Sequence, residues 1–599
     1  MALQAVDWAF IAGFFIFSLI IGLAVSKRAG KNSAEFFLSG RNMPWWLLGI
    51  SMVATTFSSD TPNLVTDIVR QNGVSGNWVW WAFLLTGMLT VFVYAKLWRR
   101  SKVMTDIEFY ELRYSGKAAA FLRGFRALYL GVFFNVLIMA TVSLAIIKIG
   151  GVMLRLTPLQ TLLIASVVTV LYSALGGLRG VLITDFFQFV IAMAGAVGAA
   201  VVALRLPQVG GLHSLLTNPN VFSKLSLLPD FNNLEALIPL FVLPLAVQWW
   251  SVWYPGAEPG GGGYIVQRML SAKSERHAVG ATLLFNAAHY ALRPWPWIIV
   301  ALCSIVVFPD LESLRAAFPH VASNVIRHDM AYPAMLTFLP TGLLGLVLAS
   351  LIAAFMSTIS THLNWGSSYI VNDFYKRFIN TQADEKKQVF VGRLSTVGLM
   401  ILTGLLALLL SNALQAFQIL LQVGAGTGLL FILRWFWWRI NPYSELTAMV
   451  VSFLVAVYLQ IIHPSIGLPR ISSHFQLLIG VGITTISWIS VTLLTPPSAK
   501  NTLRSFYQLV KPGGPGWKKV VEKAKHEGES VELKDKGWDV PQGILCMIIG
   551  SLGVYSALFA TGYWIYGKYL LASLLSLIAG ASGFFLLKMW KKLKMLESN

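Results

Sequence analysis

The stretch Ser51-Met52-Val53-Ala54-Thr55-Thr56-Phe57-Ser58-Ser59-Asp60-Thr61-Pro62 interrupts an otherwise apolar run of membrane length. A second run breaks in the same manner at Gln248-Trp249-Trp250-Ser251-Val252-Trp253-Tyr254-Pro255-Gly256-Ala257-Glu258-Pro259, followed by Gly260 to Gly263. Proline removes a backbone donor and glycine weakens a helix, so both spans are predicted to unwind part-way across. One break alone reads as a kink. The two lie five spans apart on runs that enter from opposite faces. Interruptions in corresponding halves point to an inverted-repeat transporter whose site lies at the breaks.

Composition sets the class around them. The 599 residues are 56% hydrophobic and only 12% charged, too little charge for the surface of a soluble protein this large. Apolar runs of roughly 20 residues recur about fifteen times, each long enough to cross a hydrocarbon core. They are continuous rather than alternating, which excludes a β-barrel and predicts an all-α polytopic membrane protein. The first run lacks a basic leader and a cleavage site, and reads as a retained helix.

The net charge of +20, from 46 basic and 26 acidic residues, raises the question of nucleic acid. Its placement answers no. Lys27, Arg28, Lys31 and Arg41 follow the first run; Arg99, Arg100, Lys102, Arg113 and Lys117 the third; Arg268, Lys273 and Arg276 the seventh. Lys376, Arg377, Lys386 and Lys387 follow the ninth, and Arg434, Arg439, the loop 497–540 and the tail Lys591–Lys594 continue the series. Basic residues on every second loop place the amino terminus outside and the carboxyl terminus in the cytoplasm of a cell membrane. Cys303 and Cys546 lie within spans and give neither a disulfide framework nor a metal cluster.

Another informative run carries hydroxyls at Ser357, Thr358, Ser360 and Thr361. On a helix Ala354, Ser357, Ser360 and Thr361 share a stripe flanked by Thr358. These are hard oxygen donors for a stripped cation, or else hydroxyls that join helices.

Tyr172-Ser173-Ala174-Leu175-Gly176-Gly177-Leu178-Arg179-Gly180-Val181-Leu182-Ile183-Thr184-Asp185-Phe186-Phe187-Gln188 resembles the signature of the sodium:solute symporter family. Phe36-Phe37-Leu38-Ser39-Gly40-Arg41 and the run from Ser357 to Asn372-Asp373-Phe374-Tyr375-Lys376 resemble the same family, which includes sodium/glucose, proline and sialic acid symporters. The resemblance covers roughly 5–440. It implies a LeuT-type arrangement: a leading helix and loop (1–45), a five-helix repeat (46–206), an extracellular loop with the inverted repeat (207–440), and accessory helices (441–599). It also implies a first Na⁺ held by carbonyls of Ala54, Phe57 and Ala354 and hydroxyls of Ser357 and Thr358. A second Na⁺ would use Asp185, Ser360 and Thr361. An aspartate lying merely at the membrane interface is the competing reading of Asp185.

For the solute, the second break offers Gln248, Trp249, Trp250 and Trp253, and the first offers Thr56 and Ser58. Asn286, His289, Tyr290 and Arg293 recur at i, i+3, i+4 and i+7, and Gln415, Gln418 and Gln422 form a similar stripe. Aromatic platforms with amide donors suit a sugar or sugar-like solute. Arg293 keeps a sugar acid or amino acid in play. Asp60 and Glu258 place one acid near each break, with Arg70 or Arg293 as candidate partners. Trp78, Trp80 and Trp81 read in part as an interfacial belt.

No phosphate-cradling loop or Cys/His metal spacing is present, so no enzymatic reading survives. The loop 497–540 is expected on the membrane surface or against a partner. The chain is expected to meet a small solute, sodium and lipid, not nucleic acid, as a monomer or weak oligomer. A solute-sensing membrane protein working with a partner is the rival class.

Overall fold

The computed structural model describes residues 3–29, 38–56, 58–173, 178–410, 413–529 and 538–590. Phe57, and residues 36–37 and 174–177 of the quoted motifs, lie outside the described residues. Among those described there is no β-strand, and bridges of strand type occur only singly, Met43 with Ala272 and Val252 with Ala425. The principal helices begin α1 (Ala5–Ala29), α2 (Trp45–Thr56), α3 (Asp60–Asn72), α4 (Val74–Ser101), α5 (Gly116–Leu154), α6 (Pro158–Ser173) and α7 (Leu178–Arg205). Next come α8 (Leu234–Ser251), α9 (Gly263–Leu270), α10 (Glu275–Val307), α11 (Leu343–Ile379), α12 (Glu385–Ala407), α13 (Ala413–Val423) and α14 (Gly428–Leu433). The chain continues with α15 (Pro442–Ser465), α16 (Ser473–Leu494), α17 (Lys500–Val510), α18 (Lys518–His526), α19 (Val540–Ile565) and α20 (Tyr569–Trp590).

Eleven described helices are long and apolar enough to cross a membrane, and four further apolar helices are shorter. Two of the short ones, α2 and α13, are halves of interrupted spans. Burial separates core from periphery. The most apolar stretches of α4, α5 and α11 are 89%, 83% and 83% buried, whereas that of α20 is 11% buried. Leu494 and Leu570, 84% and 85% exposed, present the apolar surface that a bilayer covers.

The two anticipated breaks are present, between α2 and α3 and between α8 and α9. In the second, Gly260 and Gly261 take φ of +77° and +80°, a left-handed conformation that only glycine adopts without strain. This lets the Gly260 carbonyl accept the Trp98 indole N–H at 2.7 Å.

A third apolar run, over 413–438, is interrupted as well, at Gly424-Ala425-Gly426-Thr427. The Trp253 N–H donates to the Gly424 carbonyl at 3.1 Å and the Gly426 N–H to the Ser251 carbonyl at 2.9 Å. The two breaks thus satisfy each other's freed backbone groups. A Cβ on Gly424 would stand 2.0 Å from the Trp253 carbonyl oxygen, so the contact requires glycine.

The loop 497–540 differs from expectation. Its helices α17 and α18 pack on the chain itself: Trp517 is fully buried, donates to the Trp435 carbonyl at 2.9 Å and lies under the Arg113 guanidinium at 4.9 Å. The Trp517 ring and its indole N–H thus find their partners on the chain itself.

Candidate cation and solute sites

Helices α2, α7, α9 and α11 converge on one buried polar cluster. Asp185 of α7, fully buried, accepts hydroxyl hydrogen bonds from Ser51 of α2 and Ser357 of α11, each at 2.6 Å. Thr358 donates to the Thr55 carbonyl at 3.2 Å. Ala54, Ala354, Ser357 and Thr358 are all buried. Ser360 donates to the Ser357 carbonyl at 3.1 Å. The Thr361 hydroxyl is buried without a hydrogen-bond partner among the described residues.

Arg268 completes the cluster. Its place after an apolar run reads as a loop charge, yet it lies in the last turn of α9 with its side chain fully buried. Its Nε donates to Ser51 Oγ at 3.3 Å and its Nη2 to Thr55 Oγ1 at 3.1 Å, 3.9 Å from Asp185 Oδ2. A charge-placement rule cannot tell an arginine that ends a helix outward from one that turns inward. The signal available was its position eight residues after Gly260, on a helix short enough to begin mid-membrane.

Above this cluster lies a cavity of about 110 Å³ at the breaks of α2–α3 and α8–α9. Thr56, Ser58, His289 and Arg293, all anticipated, line it together with Asp60, Thr61, Tyr254 and Tyr264. Thr55 and Thr358 line it too, so cation cluster and cavity share a wall. Aromatic platforms are present: Trp80 stacks on Tyr290 at 5.8 Å and Phe83 on Tyr254 at 5.5 Å. Trp80 is thus a cavity residue, and Trp78 and Trp81 are buried at 4% and 0% exposure. The belt reading does not hold for this trio, because the Trp78 and Trp81 rings pack on Phe241, Tyr555 and Phe559 and the Trp80 ring on His289 and Tyr290, inside the fold.

Arg293 donates Nη1 to the Val53 carbonyl at 3.2 Å, and its Nη2 lies 2.7 Å from His289 Nδ1. Asp60, half-buried, faces the same cavity and attracts Arg293 electrostatically. Arg70 goes elsewhere: it binds the Ser304 and Phe308 carbonyls at 2.8 and 2.7 Å, capping α10.

The remaining sequence candidates fall outside this cavity. Gln248, Gln418 and Gln422 line a second cavity, also about 110 Å³, with Gln460 and Gln476. Phe417 borders both and meets the Tyr254 ring at 5.1 Å, forming a wall between them. Trp249 and Trp250 donate their indoles to Leu245 and Ala246 carbonyls of their own helix at 2.8 and 2.7 Å. Trp253 packs edge-on against Phe134, and Asn286 bonds the Thr282 carbonyl at 2.8 Å.

The profile of the Sodium:solute symporter family matches residues 36–452, about seventy per cent of the chain. The chain belongs to the sodium:solute symporter family. It is 27% identical over 502 residues to a sodium/mannose cotransporter of Bos taurus, covering 77% of this chain and 80% of that one. It is 26% identical over 458 residues to a sodium/glucose cotransporter of Vibrio parahaemolyticus, covering 74% and 82%. A sodium/myo-inositol cotransporter 2 of Oryctolagus cuniculus is 25% identical over 551 residues, covering 84% and 78%. A substrate-bound outward-open Na⁺-coupled sialic acid symporter superposes with a TM-score of 0.60 at 20% identity, over 83% of this chain and 99% of that one. That likeness shows the shared fold, the LeuT-type all-helical architecture.

Sequence reasoning missed one further polar group of the symporter. Lys148, in the apolar helix α5, is fully buried in an ion pair with Asp329. Asp329 Oδ2 accepts the Ala413 N–H at 3.0 Å, and Asp67 Oδ2 accepts that of Leu414 at 3.3 Å. Two carboxylates therefore sit on the N-terminus of α13, where the helix dipole favours them. A lone lysine inside an apolar span was the available signal.

Proposed function

We propose that the protein imports a neutral, polyhydroxylated solute of the sugar or cyclitol kind, driven by sodium and by alternating access. The observation that carries this reading is the shared wall. Thr55 and Thr358 belong at once to the cation cluster and to the solute cavity. A Na⁺ held by the carbonyls of Ala54, Phe57 and Ala354 and the hydroxyls of Ser357 and Thr358 would tie the first repeat (46–206) to the second (207–440). Residues 1–45 and 441–599 would serve as accessory helices. The amino terminus would face outward, with the carboxyl terminus and the loop 497–540 in the cytoplasm.

Binding must favour one conformation for coupling to occur, and a bridge between the repeats supplies that bias. Each sodium moving inward contributes about 2.3 kcal/mol per 100 mV, plus its concentration term.

The cavity supports a neutral cargo over a carboxylated one. Arg293 is engaged by Val53 and His289, and Asp60 stands beside it as a negative charge. A carboxylate entering here would meet repulsion instead of an open guanidinium fork. The cargoes named for the relatives, glucose, mannose and myo-inositol, are neutral polyols and support the same reading.

The test is tracer uptake into proteoliposomes. An inward sodium gradient should drive accumulation of at least one of D-glucose, D-mannose and myo-inositol, and none of D-glucuronate. Equal accumulation in choline medium would refute sodium coupling.

A further inference from the structure

Asp185 is the only acid in the cluster where α2, α7, α9 and α11 meet, among the described residues, and the family resemblance would give it a sodium ion. Its immediate surroundings are already organised around another cation. Both its oxygens receive serine hydroxyls, Ser51 and Ser357 at 2.6 Å. The Arg268 guanidinium approaches Oδ2 to 3.9 Å while donating to Ser51 and Thr55, the same serine and the neighbouring threonine of α2. The rest of its fork is held by its own helix, with Nη1 at 3.4 Å from the Tyr264 carbonyl and 3.2 Å from Gln267 Oε1. Acid and base are both fully buried. A buried carboxylate needs one counter-charge, and once a guanidinium supplies it the carboxylate has no net charge left to hold a sodium ion of its own.

We infer that Arg268 is the resident counter-charge of Asp185, so that one sodium ion, not two, accompanies each solute. The inference rests on the proposed sodium site at Ala54, Ala354, Ser357 and Thr358. Arg268 acts there as a positioning residue. Thr55 accepts from Arg268 on its hydroxyl and from Thr358 on its carbonyl, and Ser357 is held by Asp185. Sodium arriving at Thr358 is therefore felt through Thr55 by α9. One turn earlier on α9, Tyr264 lines the solute cavity. The tethered cation links ion site to cavity wall without leaving the protein.

The test is equilibrium binding of radioactive sodium to the purified full chain, with thermal unfolding measured alongside. Wild type should bind one ion per chain. Asp185→Asn and Arg268→Gln each leave a buried charge unpaired, and sodium affinity or folded yield should fall by about tenfold or more. The double variant Asp185→Asn/Arg268→Gln removes both charges and should restore the folded yield and still bind one ion per chain, more weakly than wild type because Ser357 and Thr55 lose their charged partners. Two ions in wild type falling to one in the double variant would overturn the inference, as would a folded double variant that binds no sodium. No sodium bound by folded wild type would overturn the symport reading itself, a distinguishable result.

Discussion

The Thr358 hydroxyl donates to the Thr55 main-chain carbonyl at 3.2 Å, joining the two halves of the symporter at the point where α2 is about to unwind. A hydroxyl on a carbonyl occupies a position that a desolvated cation would bridge, because both oxygens can turn their lone pairs to it. Replacing Ser357 and Thr358 together by alanine removes two oxygens from that position, and with them only the one buried methyl of Thr358. The sodium concentration for half-maximal uptake should rise about tenfold or more, equivalent to about 1.4 kcal/mol. Folded yield should stay near wild type. Sodium-activation curves in proteoliposomes measure the first, size-exclusion profiles the second.

Asp60 is the cavity acid closest in sequence to the first break, and its half-exposure is to the cavity. A carboxylate accepts two hydroxyls at once and strengthens both bonds by its charge. Asp60→Asn keeps the shape and loses that charge, and KM for a transported neutral polyol should rise about tenfold. Sodium activation should change little, since the cation cluster is built from other groups. A KM within twofold of wild type would remove Asp60 from solute recognition.

The legible part of the fold was the part written in proline and glycine. The breaks after α2 and α8 carry Pro62, Pro255, Pro259 and four successive glycines, and these punctuate an apolar run unmistakably. The third break, at Gly424–Thr427, has no proline and is flanked by apolar residues on both sides, so periodicity reads through it. What opens it is tertiary: the Trp253 and Ser251 backbone groups pair with it across about 170 residues of sequence, a separation no local rule reaches. Arg268 and Trp80 were misplaced for a related reason. Charge near a span end and aromatics near a span end both have an interfacial reading, and only packing tells which face of the helix turns inward.

Lys148 and Asp329 form a fully buried ion pair at the end of α5 remote from the loop 497–540, with Asp67 nearby on the same helix N-terminus. Replacing Lys148 by methionine leaves two acids there without their cation. Stability should fall by about 3–5 kcal/mol, the usual result of breaking one side of a buried pair. The double change Lys148→Met/Asp329→Asn should restore much of the loss. Thermal unfolding in detergent compares the three proteins, and equal midpoints for wild type and Lys148→Met would show that the pair does not hold this end together.

The packing of 499–527 on the core makes a contrast between a buried ring and an exposed ion pair. Trp517 stacks on Phe506 at 5.6 Å, hydrogen-bonds Trp435 and carries the Arg113 guanidinium over its face. Trp517→Ala should therefore cost about 3–5 kcal/mol locally and speed proteolysis between α17 and α18. Glu527, at the far end, bonds Lys500 and Arg504 at 2.8 and 2.6 Å, and those two cations hold its carboxyl down to about 2 from the usual 4.5. A lowered carboxylate contributes only above its unfolded value and loses that contribution as pH falls from 4.5 toward 2. Between pH 5 and 8 the contact is fully formed, and being exposed it is screened by salt. Glu527→Gln should leave the proteolysis rate and the unfolding midpoint near wild type across that range. A Glu527→Gln protein cleaved as fast as Trp517→Ala would mean that surface charge, not the buried indole, fastens this segment to the transporter.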